Sequence, residues 1–358
     1  MSIKMNYKIV KIRTSHNLSG QRSILIIYTG GTIGMVHDES GSLVPFNFIK
    51  VMERIPELSK IEVGLTVISF PKPIDSSNVS IRDWQALGYI IYENYDQYDG
   101  FVILHGTDTM AYSASALSFM LEGLAKPVIF TGAQIPIGNL RSDARENLIT
   151  AIEIAADQRN GTPLIKEVCI YFNFGLFRGN RSQKMKSSTF AAFESQNYPL
   201  LAESGIDINY NEAVLAAPNG LAPLRLHQDL DDNVALLKIF PGLNEAVLES
   251  ILGSKNLKGL VMETFGSGNI PNEPWFIECL KKAVENQIII LNVSQCSGGE
   301  VIHGRYETSR KLSEIGIISG GNITTESAIT KLMLLLGSKK SPEIIKNLLV
   351  NPMNGEMD

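Results

Sequence analysis

The stretch Gly100-Phe101-Val102-Ile103-Leu104-His105-Gly106-Thr107-Asp108-Thr109-Met110-Ala111 sets the reading of the whole chain. Residues 101–104 are an unbroken apolar run of strand length, and a short polar cluster follows at once. Residues 110–124 then place Leu117, Leu121 and Leu124 on one helical face. A strand apolar on both faces, feeding a helix through a polar turn, is the repeating unit of a parallel sheet covered by helices on both sides.

The same alternation recurs in both directions. Upstream, Ile24-Leu25-Ile26-Ile27-Tyr28 reads as a buried strand, residues 67–70 as a second, and residues 81–95 as a helix with Ser80 at its N-cap. Downstream come a strand at 127–130, a helix at 144–156 and a strand at 168–172. Between residues 213 and 232 the rhythm pauses. Pro218, Asn219, Gly220 and Pro223 precede an acidic turn with Asp229, Asp231 and Asp232, which is the composition of a linker. Strands at 234–240, 257–262 and 288–293 follow, with helices at 245–252, 275–286 and 325–336. The expected fold is α/β, with a larger N-terminal parallel-sheet α/β domain and a smaller C-terminal α/β domain. The expected bounds are an extension at 1–23, a catalytic domain at 24–212, a linker at 213–232 and a second domain at 233–358.

Composition narrows the function classes. The 358 residues carry 32 basic and 37 acidic side chains, a net charge of −5. That balance argues against nucleic acid or an anionic membrane as the main partner. Cys169, Cys279 and Cys296 are sparse, odd in number and outside any zinc spacing, which suits a reducing cytoplasm. The first 23 residues mix lysine and arginine with polar residues and lack the apolar core of a signal peptide. No apolar run approaches the ~18 residues of a membrane span.

Ligands of open parallel sheets bind beyond the carboxyl ends of the strands. Three such ends carry unusual clusters. In Thr29-Gly30-Gly31-Thr32-Ile33-Gly34 the glycines permit tight turns, and their open N–H groups suit an anion or oxyanion. The alternative is a sharp turn without chemistry. It is neither a P-loop nor GxGxxG. In His105-Gly106-Thr107-Asp108-Thr109 a hydroxyl beside a carboxylate suits a nucleophile with a charge relay, or an anchor for a substrate ammonium. The alternative is that Thr107 or Asp108 merely caps the next helix. His105 is expected to pack or hydrogen-bond at the strand end. Asp75-Ser76-Ser77-Asn78 suits a small polar ligand, or is an ordinary Asx turn. Lys184 lies in the basic loop Arg178-Gly179-Asn180-Arg181-Ser182-Gln183-Lys184. Such a lysine is ordinarily solvated, and acts as a base only where burial or neighbours lower its pKa.

Taken together and in this order, the clusters resemble bacterial-type L-asparaginases, specifically the cytoplasmic type I group. The glycine-rich threonine loop at 29–34 and the long form of the second signature, from Gly100 on through Tyr112-Ser113-Ala114-Ser115-Ala116-Leu117-Ser118-Phe119, carry the likeness. Thr131-Gly132-Ala133-Gln134-Ile135-Pro136, Arg141-Ser142-Asp143, Phe265-Gly266-Ser267-Gly268-Asn269 and Ser319-Gly320-Gly321-Asn322-Ile323-Thr324 support it, over residues 24–358. The resemblance implies hydrolysis of L-asparagine to L-aspartate and ammonia without metal or organic cofactor. It implies Thr32 as nucleophile, and Thr107, Asp108 and Lys184 as a second catalytic group in which Lys184 relays a proton through Thr107. It makes Asp75, Ser76 and Ser77 the substrate loop, with Asp108 also meeting the α-ammonium. It further implies a cytoplasmic homo-oligomer, a dimer or a dimer of dimers forming a tetramer.

Two departures stand out. The family places a mobile tyrosine about ten residues after the nucleophile, whereas Glu39-Ser40-Gly41-Ser42-Leu43-Val44-Pro45 has none. Ser42, water or another tyrosine takes its place, and the polar segment 38–42 still reads as a lid. Asparagine activation in some type I enzymes uses a threonine before the lysine, an arginine before the aromatic-Gly-x-Gly segment, and a cysteine. Here the first two are Gln183 and Glu263, while Cys296 fits. The expectation is weak or absent activation, with Cys296 otherwise a buried small hydrophobe.

Three other readings compete. An amidotransferase subunit would carry an extra N-terminal domain, whereas about 23 residues precede the first strand here. A binding protein without turnover draws only on the missing tyrosine. Glutamine as main substrate differs by one methylene, worth about 1–3 kcal/mol in a tight site.

Overall fold

The structure is a computed structural model that describes residues 8–12, 22–37, 43–45, 55–215, 223–304 and 307–358. The expected lid at 38–42 and residues 216–222 of the expected linker lie outside the described residues. The chain divides into two compact units, Met1–Leu226 and His227–Asp358.

The first unit is built on a nine-stranded sheet. In chain order its strands are β1 (Lys8–Ile12), β2 (Ser23–Gly30), β3 (Gly64–Ile74), β4 (Gly100–Leu104), β5 (Val128–Thr131), β6 (Val168–Phe172), β7 (Gly175–Arg178), β8 (Ala202–Ser204) and β9 (Ile208–Tyr210). The spatial order is β1-β3-β2-β4-β5-β6-β7-β8-β9. Strands β3, β2, β4, β5 and β6 are mutually parallel, as the apolar runs require. The expected parallel sheet forms the middle, and antiparallel edges flank it. At one edge β6 returns directly as β7 through Asn173 and Phe174, both at positive φ, a connection too short for a crossover helix. At the other, residues 8–12 of the expected extension pair with β3.

Helices α1 (Ile81–Asn94), α2 (Met110–Met120) and α3 (Ala144–Ala156) belong to this unit. Helix α1 starts where the sequence places it, with the Ser80 N–H and hydroxyl both donating to Asp83. Helix α2 stops four residues short of the expected end. Leu121 and Glu122 leave it to pair with Leu226 and Arg225, and Gly123 turns at φ +79°. Part of the expected linker therefore belongs to the first unit. Ile24, Leu25, Ile26 and Ile27 are fully buried, each worth about 1.5–3 kcal/mol relative to exposure.

The second unit holds a four-stranded parallel sheet of β10 (Val234–Lys238), β11 (Gly259–Thr264), β12 (Ile289–Ser294) and β13 (Ile318–Ser319). Its helices are α4 (Glu245–Leu252), α5 (Pro274–Glu285), α6 (Glu307–Glu314), α7 (Thr325–Gly337) and α8 (Pro342–Val350). Alternate residues of β11 face opposite cores: Leu260 and Met262 join Leu248, Phe276 and Leu280, whereas Val261 joins Leu332, Leu335 and Leu349.

The sheet register positions the candidate site. Leu104 pairs with Tyr28, so β2 and β4 end level. A register shift after Tyr28 brings Gly30 opposite Ile74 at the end of β3. Three adjacent strand ends thus deliver 29–34, 105–109 and 75–78 to one place.

Candidate active site

Glycine makes this convergence possible. A β-carbon on Gly31, which sits at φ +81°, would lie 2.5 Å from the Gly106 nitrogen. One on Gly106 would lie 2.5 Å from the Ser76 hydroxyl oxygen. Backbone can approach backbone this closely only without side chains. Further bonds tie the segments: the Gly31 N–H donates to Ile74 O at 3.2 Å, the Thr29 hydroxyl to Leu104 O at 2.8 Å, and the Thr109 hydroxyl to Ser76 O at 2.7 Å.

Thr107, Asp108 and Lys184 meet. Lys184 Nζ lies 2.7 Å from Thr107 Oγ1 and 2.6 Å from Asp108 Oδ1. Thr107 is buried, and the Lys184 side chain is 15% exposed against 63% for Asp108. Neither Thr107 nor Asp108 caps α2, whose N-cap residue is Thr109. Lys184 does not sit in a solvated loop. It pairs with Phe193 in a two-stranded ribbon, and the Phe193 ring packs 5.1 Å from that of Phe172 in β6. Arg178, Asn180 and Arg181 in the preceding segment are buried; Arg178 pairs with Glu167 at 2.6 Å and stacks on Tyr198.

The other expected residues divide. Thr32 opens a short 3-10 turn beside Gly31 and is half-buried; no hydrogen bond links its side chain to Thr107 or Lys184 among the described residues. Asp75 accepts the Ser77 N–H at 3.0 Å, the Asx geometry that the sequence allowed, while Ser76 is buried and Ser77 exposed. Gly31, Asp75 and Asn78 line a cavity of about 500 Å³ with Tyr28 and Lys72. A larger concavity of about 860 Å³, lined by Arg22, Lys60, Glu62 and Glu153, contains none of the candidate residues. The Tyr28 hydroxyl donates to Gly34 O at 3.3 Å, and burial pushes its pKa up to about 12.

Gln134 also reaches the site, although nothing in its sequence neighbourhood marks it for a role. Its Oε1 lies 3.3 Å from Thr107 Oγ1, so Thr107 can accept from Lys184 and donate to Gln134. Asp143 holds the Gln134 main chain, accepting its N–H at 2.9 Å. His105 is buried between Gly106 O at 2.7 Å and Ser113 Oγ at 2.9 Å. Burial pushes its pKa down to about 4, so the ring is neutral at pH 7.

Cys296 lies in the second unit and is exposed, which corrects the expectation of a buried hydrophobe. It follows Gln295 at the carboxyl end of β12, and its N–H donates to Ser294. Glu263 accepts the Thr325 hydroxyl at 2.7 Å and faces Lys238 at 3.4 Å. Among the described residues, the acid and thiol groups close enough to share an ion are Glu245, Glu249 and Cys279, none of them a site residue.

A threonine, lysine and carboxylate in mutual contact beyond a parallel sheet is equipment for hydrolysis by an activated hydroxyl. The comparisons agree. The family described as Asparaginase, N-terminal matches residues 23–215, and the Glutaminase/Asparaginase C-terminal domain matches residues 233–349. The chain belongs to the asparaginase family. It is 40% identical over 339 residues to L-asparaginase 1 of Escherichia coli, covering 94% of this chain and 98% of that protein. It is 40% identical over 361 residues to the human 60 kDa lysophospholipase, covering 94% of this chain but 62% of that protein. The crystal structure of L-asparaginase I from Vibrio cholerae superposes with a TM-score of 0.86 at 39% identity, over 94% of this chain and 99% of that one.

Proposed function

We propose that the protein is an L-asparaginase that hydrolyses the side-chain amide of L-asparagine to L-aspartate and ammonia. The observation that carries the reading is the 2.7 Å contact of Lys184 Nζ with Thr107 Oγ1, with Asp108 at 2.6 Å from the same nitrogen. In this scheme the Thr32 hydroxyl attacks the amide carbon. Its proton goes to the leaving nitrogen, and ammonia departs from the tetrahedral intermediate to leave an acyl ester. Water, giving its proton through Thr107 to Lys184 in its neutral amine form, then attacks the ester carbon; the bond to Thr32 Oγ1 breaks, the relayed proton returns to that oxygen, and aspartate is released. Asp108 holds the lysine and, with 63% of its side chain exposed, is available to the α-ammonium. Asp75, Ser76 and Ser77 form the loop that takes the zwitterion, with Asp75 in the lining of the cavity beside Gly31. Such charge complementarity favours a small amino acid over an uncharged amide, because a wrong ligand leaves buried groups unpaired.

The protein acts as a homo-oligomer, dimer or dimer of dimers, in the cytoplasm. Sparse free cysteines support a reducing compartment, and among the described residues no helix is long and apolar enough to cross a membrane. Ammonia release measured on asparagine and on glutamine tests the substrate. Faster turnover per KM on asparagine is expected; no release from either overturns the proposal. Light scattering tests the assembly.

A further inference from the structure

One buried titratable group plays no part in the scheme above. His105 joins β4 to the reactive turn and sits at the middle of a hydrogen-bond chain. Trp84 Nε1 lies 2.9 Å from Ser113 Oγ, Ser113 Oγ lies 2.9 Å from His105 Nε2, and His105 Nδ1 lies 2.7 Å from Gly106 O. The chain has one possible direction. An indole N–H only donates and a carbonyl oxygen only accepts, so both ends are fixed. Nδ1 must carry the proton that Gly106 O receives. The neutral ring then presents a lone pair at Nε2, which takes the Ser113 hydroxyl proton, and Ser113 in turn receives the Trp84 N–H. Phe130 packs edge-on against the imidazole, with ring centroids 5.7 Å apart.

The end of this chain is the peptide that carries Thr107. In a trans peptide the C=O and the next N–H point in opposite directions, and the described residues contain no cis bond. With the Gly106 carbonyl drawn inward to His105, the Thr107 N–H points the other way. Among the described residues no protein acceptor takes that N–H. The turn is held on its remaining sides as well. The His105 N–H donates to Thr131 O at 2.9 Å, and Gly106 packs against Ser76 and Gly31.

We propose that His105 is a positioning residue that clamps the Gly106–Thr107 peptide so that the Thr107 N–H donates to the oxyanion formed in amide hydrolysis. This rests on the amidohydrolase reading of the site. A histidine serving only the core would fill space and satisfy its nitrogens anywhere nearby. Here its single proton is directed to the carbonyl of the reacting turn, and the tautomer is set by Gly106 O at one end and by Trp84, two contacts away through Ser113, at the other. A preorganised donor of this kind is worth about 10²–10³ in rate, and small misplacements lose much of it.

Two substitutions separate positioning from packing. His105→Asn puts an amide N–H near the Nδ1 position and keeps the bond to Gly106 O while losing Ser113. His105→Gln reaches toward Ser113 and leaves the carbonyl unpaired. The expected kcat for ammonia release stays within about threefold of wild type in H105N and falls about 30- to 100-fold in H105Q. KM changes less than about threefold in both, and the two variants melt together within a few degrees. In wild type, 15N NMR of histidine-labelled protein is expected to show His105 as the Nδ1–H tautomer between about pH 6 and pH 8. Equal kcat losses in the two variants, or an Nε2–H tautomer, overturn the proposal. If the variants do not fold, the tautomer alone decides. A wild-type protein inactive on asparagine overturns the substrate reading instead, and leaves the tautomer measurement as the test of the clamp.

Discussion

Two lysine–carboxylate pairs, one in each unit, have the same 2.6 Å separation and opposite surroundings. Lys331 and Glu356 are both 0% exposed. The Lys331 ammonium also donates to Asn351 O at 2.8 Å and Leu349 O at 3.3 Å, and Glu356 accepts the N–H groups of Met353 and Asn354. Main chain thus satisfies what the pair leaves over, and the C-terminal segment is fastened to α7. Burial pushes the Lys331 pKa down against the pull of Glu356, yet no reactive group touches it. Lys184 instead spends its second contact on a hydroxyl, and its carboxylate partner is largely open to solvent. The difference teaches that distance alone says nothing about role. A pair closed by backbone holds a fold; a pair that leaves a hydroxyl and an open acid beside the ammonium has groups left for a substrate.

That contrast can be broken experimentally. Lys184→Met is expected to lower kcat for ammonia release by about 10³–10⁴, the size of a lost proton relay, with little change in melting temperature. Lys331→Met is expected to do the reverse. It leaves Glu356 charged and buried, which costs about 3 to 5 kcal/mol in urea unfolding, while the folded fraction keeps its kcat. Replacing both partners with apolar residues should recover most of that loss. Little loss in the single variant would mean that the buried pair is not a lock.

A third expectation concerns acid. His105 has a folded pKa near 4 against 6.5 for a free imidazole, so between these values the unfolded chain binds a proton that the folded one refuses. Stability is therefore present above about pH 6.5 and lost as pH falls towards 4, by about 3 kcal/mol in all. His105→Asn should remove this part of the acid slope in denaturant titrations between pH 4 and pH 6.5. An unchanged slope would place the proton elsewhere. The smallest effect is expected in the second unit. With Glu263 occupied by Thr325 and Lys238, rate against asparagine concentration should be hyperbolic. Sigmoidicity removed by changing Cys296 would contradict that.

Much of this was legible in the sequence because it is local. Apolar runs located the parallel strands, and the polar clusters at 29–34, 75–78 and 105–109 fell at strand ends, where sheet geometry collects ligand-binding groups. What escaped depends on distant partners. Lys184 reads as a surface lysine because nothing near it in sequence reports the Phe193–Phe172 packing that turns its ribbon toward Thr107. Gln134 touches Thr107 across 27 residues, and Lys331 and Glu356 find each other across 25 with no periodicity to announce them. The antiparallel edges were missed because β7 to β9 are short, and strands of three or four residues carry little pattern.

The central claim is that the Lys184–Thr107 contact is the working one. The most direct measurement is kcat for ammonia release from L-asparagine by purified Lys184→Met, in a preparation whose melting temperature matches wild type. The account predicts a loss of about three orders of magnitude or more. A folded variant that keeps the wild-type rate would contradict it.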